Sequence, residues 1–256
     1  MNAFRFRSGD ADLAATRFGS GPPLLVAHPA VFSKAFAPDA LGARFDVAAL
    51  DQRGHGESEG GEPRLEAMAE DLGALLDRCG WARAAVAGTS LGAATALLFA
   101  LRHPERVERL LLDLPGFGPG SFRDPGQTER MAEAFARADF DEAARRITEG
   151  LSAGRAAAWT SALKADWRHY APARLGPKLA ALMRASTSWR LVERWPGDLA
   201  ALRVPTTILA VKGDPEHPWD AADTMVRTIP GARLAPRVPS LDPATIAGQW
   251  IEELQR

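Results

Sequence analysis

The stretch "ARAAVAGTSLGAATALLFALRHP", residues 82–104, decides how this chain is read. Its first part, "ARAAVAG", is a run of small apolar residues and reads as a strand. The remainder, "TSLGAATALLFALRHP", reads as a buried helix that stops before Pro104, because a residue preceding proline disfavours the helical region. Between the two stands Gly88-Thr89-Ser90-Leu91-Gly92, a G-x-S-x-G pattern. Taken alone such a pattern is common, and a glycine-rich turn with an incidental serine is the plain alternative. Its place directly after a strand and before a helix gives it meaning. A turn that tight strains the serine backbone and raises the hydroxyl above the C-terminal edge of a sheet. The following helix points its N-terminus at the same spot, which favours negative charge there. The N–H of Leu91 then faces a developing oxyanion.

The surrounding sequence has the same character. "FRFRSG" and "LAATRFG" read as a short hairpin of edge strands, "PLLVAH" as a strand ending at His28, and "RFDVAALD" as a strand ending at Asp51. Residues 65–79 carry Leu65, Met68, Leu72, Leu75 and Leu76 on one helical face, and "VERLLLDLP" is a further strand. The inner strands are apolar throughout rather than alternating, as expected of parallel strands covered on both faces. Strands interleaved with helices predict an α/β sheet with right-handed crossovers. From residue 116 the pattern changes. "GFGPGSFRDPGQ" reads as a loop, and residues 128–195 are helical in pattern, with Trp159, Trp167, Trp189 and Trp195 among them. The alternation resumes with "PTTILAVKGD", a helix near 219–228, the strand "ARLAPRV" and the closing helix "PATIAGQWIEELQ".

The chain has 256 residues, 46% of them hydrophobic and 25% charged, which suits one large globular domain or one domain with an insertion. A formal net charge of −1 gives no argument for nucleic acid or for an anionic membrane surface. No stretch approaches the roughly 20 apolar residues of a membrane span, and the N-terminus shows no signal-peptide pattern; a cytoplasmic protein is expected. The single cysteine, Cys79, cannot form an internal disulfide and reads as a small buried residue. Composition says nothing of oligomeric state.

Three further stretches bear on chemistry. "DQRGHGES", residues 51–58, is a turn-rich loop in which His55 reads as structural. "LLVAHPAVFSKAF", residues 24–36, follows a strand and offers a second oxyanion donor; Pro29 has no N–H, so Ala30 or Val31 is the candidate. "VKGDPEHPWD", residues 211–220, places Asp214 just past a strand end, where an acid can orient a histidine. Asp113, ending "LLLD", is the alternative acid. His217 follows Asp214 by three residues, with Pro218 at a helix start.

Together these stretches resemble the α/β-hydrolase family along nearly the whole chain. The resemblance rests on the strand ending at His28, the D-x-R-G-x-G-x-S loop at 51–58, the turn at 88–92, "HPERV" at 103–107 and "GDPEHP" at 213–218. It implies an α/β-hydrolase fold with a mostly parallel central sheet flanked by helices. The core is then residues 1–115 and 196–256, with a helical cap, residues 116–195, inserted before the last strands. It further implies a nucleophile at Ser90, the acid at Asp214, and an oxyanion hole from Leu91 and Ala30. His28, Trp159, Trp189, His217 and Trp219 become candidate substrate contacts. No metal or cofactor is implied, and the partner is a small carbonyl compound such as an ester, lactone or thioester.

One position departs from the family. The base belongs on the loop after the last strand, here "RVPSLDPAT", where Leu241 stands in place of a histidine; no histidine follows residue 217. Leucine cannot accept a proton. The readings left open are a hydrolase whose base comes from elsewhere, with His217 or His28 nearest, a lyase, cyclase or isomerase using the same pocket, a ligand-binding protein without turnover, and a His-to-Leu inactivated variant.

Overall fold

The computed structural model describes residues 1–116, 125–187, 197–214 and 216–256. Eight strands form one sheet: β1 (Asn2–Ser8), β2 (Ala11–Gly19), β3 (Pro23–Ala27), β4 (Asp46–Leu50), β5 (Ala84–Thr89), β6 (Val107–Asp113), β7 (Thr206–Ala210) and β8 (Arg233–Pro236). They pair in the order β1-β2-β4-β3-β5-β6-β7-β8. β2 runs antiparallel to both neighbours, and every later pair is parallel. The hairpin expected at the edge is therefore only half at the edge. β1 is the outer strand, while β2 lies inside, pairing Ala15–Gly19 with Leu50–Asp46.

The apolar runs split cleanly between the two faces, because successive strand residues point to opposite sides. Leu24, Val26, Val47, Ala49, Leu111 and Leu209 share one face with Ile246, Ala247, Trp250 and Leu254 of α8 (Pro243–Gln255). Leu25, Ala27, Ala48, Leu110, Leu112 and Ile208 share the other with helices α1 (Leu65–Cys79) and α2 (Leu91–Arg102). Residues 91–100 of α2 are all buried, which accounts for a helix in which eight of twelve residues are alanine or leucine. Cys79 closes α1 half-buried, with its thiol pushed up by burial.

Between β6 and β7 the described residues hold four helices: α3 (Pro125–Ala136), α4 (Phe140–Ile147), α5 (Ala153–Trp167) and α6 (Pro172–Ser186). α7 (Trp219–Thr228) joins β7 to β8. Since β3 to β8 are parallel, the loops leaving β3, β5, β6 and β7 all emerge at one edge of the sheet, where ligand sites of open α/β sheets gather. No described helix is long and apolar enough to cross a membrane.

Trp250 is fully buried beneath one face of the sheet. Its replacement by alanine is expected to cost about 3–5 kcal/mol, from lost burial and an unfilled cavity, and to lower Tm by roughly 10 °C. Thermal melts followed by circular dichroism test this; a drop of only a degree or two would mean that α8 contributes little to the core.

Candidate active site

Ser90 sits at the tight turn between β5 and α2 with φ 52 and ψ −112, a conformation side-chain-bearing residues rarely adopt. Its N–H donates to Asp113 O at 2.9 Å, tying the turn to the end of β6. The flanking glycines are dictated by contact. A Cβ on Gly88 would lie 2.1 Å from Gly92 O, and one on Gly92 would lie 2.0 Å from Ala27 O at the end of β3. The turn is thus pressed between two neighbouring strands.

The imidazole facing Ser90 comes from the β7–α7 loop. His217 Nε2 lies 3.0 Å from Ser90 Oγ. A ring nitrogen that accepts from the hydroxyl leaves the proton on Nδ1, which is 3.4 Å from Asp214 Oδ2. That contact is a close approach without hydrogen-bond alignment, since buried Nδ1 has no hydrogen-bond partner among the described residues. Asp214 braces its own loop by accepting from the N–H groups of Glu216 at 2.9 Å and His217 at 3.2 Å through Oδ1. Burial pushes the Asp214 carboxyl up, but the His217 contact and those two N–H groups outweigh it and hold the acid below the usual carboxylate range. Arg155 of α5 approaches the same Oδ2 at 3.7 Å.

The alternative acid is otherwise engaged. Asp113 is fully buried, accepts from Arg237 Nε at 2.7 Å, and accepts from Thr89 Oγ1 at 3.1 Å. Arg237 in turn donates to Val238 O at 2.9 Å and Ser240 O at 3.0 Å, so this ion pair organises the loop after β8. Leu241 is half-buried on that loop, next to Asp242, whose carboxylate caps α8 by accepting from Thr245 N at 2.8 Å. An imidazole reaches Ser90 from the preceding crossover instead, and a neutral imidazole at that distance can take a hydroxyl proton.

The segment after β3 presents backbone donors. Among the described residues the N–H groups of Ala30 and Val31 donate to no protein acceptor, and neither does that of Leu91 at the head of α2. Leu91 is buried, and Ala30 is half-buried. His28 does not line a cleft. It is fully buried, its Nδ1–H donates to Pro29 O at 2.9 Å, and its Nε2 accepts from Gln52 N at 3.0 Å. Burial drives its pKa well below the ordinary value, helped by neighbouring His55, so it acts as a neutral spacer beneath the loop. Trp159 of α5 is half-buried, with its ring 6.0 Å from that of Phe32. Trp219 opens α7, where Lys212 lies 5.1 Å over its ring. Trp189 lies outside the described residues.

The sequence offers His217 as a candidate substrate contact and, with His28, as the nearest candidate for a base from elsewhere. The signal that singles it out is local: an aspartate and a histidine three residues apart at the end of a parallel strand. No cluster of three or more His, Cys, Asp or Glu side chains among the described residues is placed to hold a metal ion.

The chain belongs to the alpha/beta hydrolase fold family, which it matches over residues 25–236. It is 29% identical to the pimeloyl-[acyl-carrier protein] methyl ester esterase of Aromatoleum aromaticum, across 84% of this chain and 88% of that protein. It is 32% identical to the N-formylmaleamate deformylase of Pseudomonas putida, across 61% of this chain and 62% of that one. In three dimensions it resembles the enol-lactonase of Burkholderia xenovorans LB400 with a TM-score of 0.79 at 19% identity, across 98% and 100% of the two chains.

The His217 ring rests against bare backbone. A Cβ on Gly116 would lie 2.8 Å from His217 Cδ2 and 3.1 Å from Glu216 O. Gly116→Ala is therefore expected to push the ring off Ser90 and slow Ser90 phosphonylation by a fluorophosphonate about tenfold or more. An unchanged rate would mean that the ring has room to spare.

Proposed function

We propose that this protein is a serine hydrolase of small carboxylic esters, lactones or thioesters, with Ser90 as nucleophile, His217 as base and Asp214 as acid. The observation that carries this reading is the 3.0 Å approach of His217 Nε2 to Ser90 Oγ. His217 takes the Ser90 proton as Oγ attacks the substrate carbonyl. The N–H groups of Leu91 and Ala30 receive the oxyanion. His217 then protonates the leaving group, and a water activated by the same ring releases the acyl group from Ser90. Asp214, held ionised, orients the ring and stabilises the imidazolium. Residues 116–195 serve as a cap over core residues 1–115 and 196–256, with Trp159 bordering the substrate. Relatives that act on ester and formyl carbonyls support the general chemistry.

A fluorophosphonate probe is expected to label the protein, and Ser90→Ala to abolish labelling. His217→Ala should lower kcat on p-nitrophenyl acetate by about 10⁴ or more, and Asp214→Asn by a similar order. Leu241→His should bring no gain. Labelling seen only in Leu241→His would mean that His217 is not the base, and none in any variant would remove the hydrolase reading.

A further inference from the structure

The segment that carries Ala30 is held from two sides. On the core side, His55 Nε2 lies 2.6 Å from Ala30 O, and Lys34 N donates to Asp51 Oδ1 at 2.7 Å. Lys34 Nζ bonds Asp51 Oδ2 and Glu57 Oε2, each at 2.7 Å. On the opposite side stands the C-terminal end of α5. Trp167 Nε1 donates to Val31 O at 2.7 Å. Asp166 Oδ2 accepts from Ser33 N at 3.2 Å and from Ser33 Oγ at 2.9 Å. With Trp159 against Phe32, one helix grips three of the four residues that follow Ala30.

Asp166 is an expensive residue for this place. It is only 8% exposed, and both hydrogen bonds to its carboxylate come from Ser33. Lys34, Asp51 and Tyr170 are the charged and titratable groups around it. Burial, opposed by the Ser33 bonds and Lys34 and reinforced by Asp51, pushes its carboxyl up to about 6. A pKa raised on folding means that ionisation works against the folded state as pH climbs through that value. The carboxylate is thus kept at a cost in stability, and what it does for that cost is hold Ser33.

We propose that Asp166, together with Trp167, is a positioning residue of the oxyanion hole: by fixing Ser33 and Val31 from α5, it sets the backbone between them and Ala30 so that the Ala30 N–H meets the developing oxyanion. This rests on the serine-hydrolase reading above and adds to it that α5 is part of the catalytic apparatus, not only a cover. Neither side chain touches substrate.

The test compares Asp166→Asn with the unaltered protein on p-nitrophenyl acetate, with an alkyl trifluoromethyl ketone as a probe that forms a tetrahedral adduct at Ser90. The expected result is a kcat about tenfold lower, KM within twofold, an equal fold-loss in affinity for the ketone, and a Tm at pH 8 no lower than that of the unaltered protein. Unchanged kcat and ketone affinity would overturn the proposal, and so would a kcat loss that comes with a raised KM and a lowered Tm. If Asp166→Asn does not fold, Ser33→Ala, which keeps the backbone donor, is expected to show the same split to a smaller degree, and its absence there counts equally against the proposal. Failure of the unaltered protein to be labelled by a fluorophosphonate would remove the hydrolase reading itself. Normal turnover by Asp166→Asn would remove only the role given to Asp166.

Discussion

The strained turn at Ser90 is the constraint on which the rest of the site depends. Holding a side-chain-bearing residue at φ 52 costs on the order of 1–3 kcal/mol. The turn survives because its surroundings over-determine it. Gly88 and Gly92 allow backbone contact that no Cβ would tolerate, the Ser90 N–H is spent on Asp113 O, and α2 is buried along nearly its whole length. These restraints come from β3, β5 and β6, which are neighbours only because the sheet order brings them together. The same order collects the loops after β3 and β7 around the serine hydroxyl.

The β7–α7 loop has its own economy. Asp214 uses one carboxylate oxygen to accept the N–H groups of Glu216 and His217, and turns the other toward the His217 ring. One short loop therefore carries both the proposed acid and the proposed base. In the family pattern the base stands on the loop after β8. Here that loop is organised by Arg237, whose charge is balanced by buried Asp113 and whose other donors hold the carbonyls of Val238 and Ser240. Leu241 is half-buried on that loop, while the imidazole beside Ser90 comes from the β7–α7 loop.

The third element is a polar frame around residues 28–34. The loop at 51–58 supplies Asp51, Gln52 and His55 to it, and α5 supplies Asp166 and Trp167. His28 and His55 lie edge to face, with ring centroids 4.6 Å apart, inside this frame. Buried polar groups need partners, and this frame supplies them to the groups that surround the N–H groups of Ala30 and Val31.

The features legible in the sequence are local ones. Unbroken apolar runs marked the inner strands, which are covered on both faces, and a 3.6-residue period marked the helices. The glycine spacing around Ser90 marked the turn, because only glycine permits that approach. The helices α7 and α8 were legible nearly to the residue. Which polar groups meet is settled by the fold. Ser90 and His217 are 127 residues apart, Asp113 and Arg237 124, and Asp166 and Ser33 133. No periodicity encodes such pairings, since they follow from the order of strands in the sheet and from the packing of α5 against the segment after β3. Leu241 shows the difference: the sequence has no histidine after residue 217, and only folding brings His217, three residues past Asp214, to 3.0 Å from the Ser90 hydroxyl.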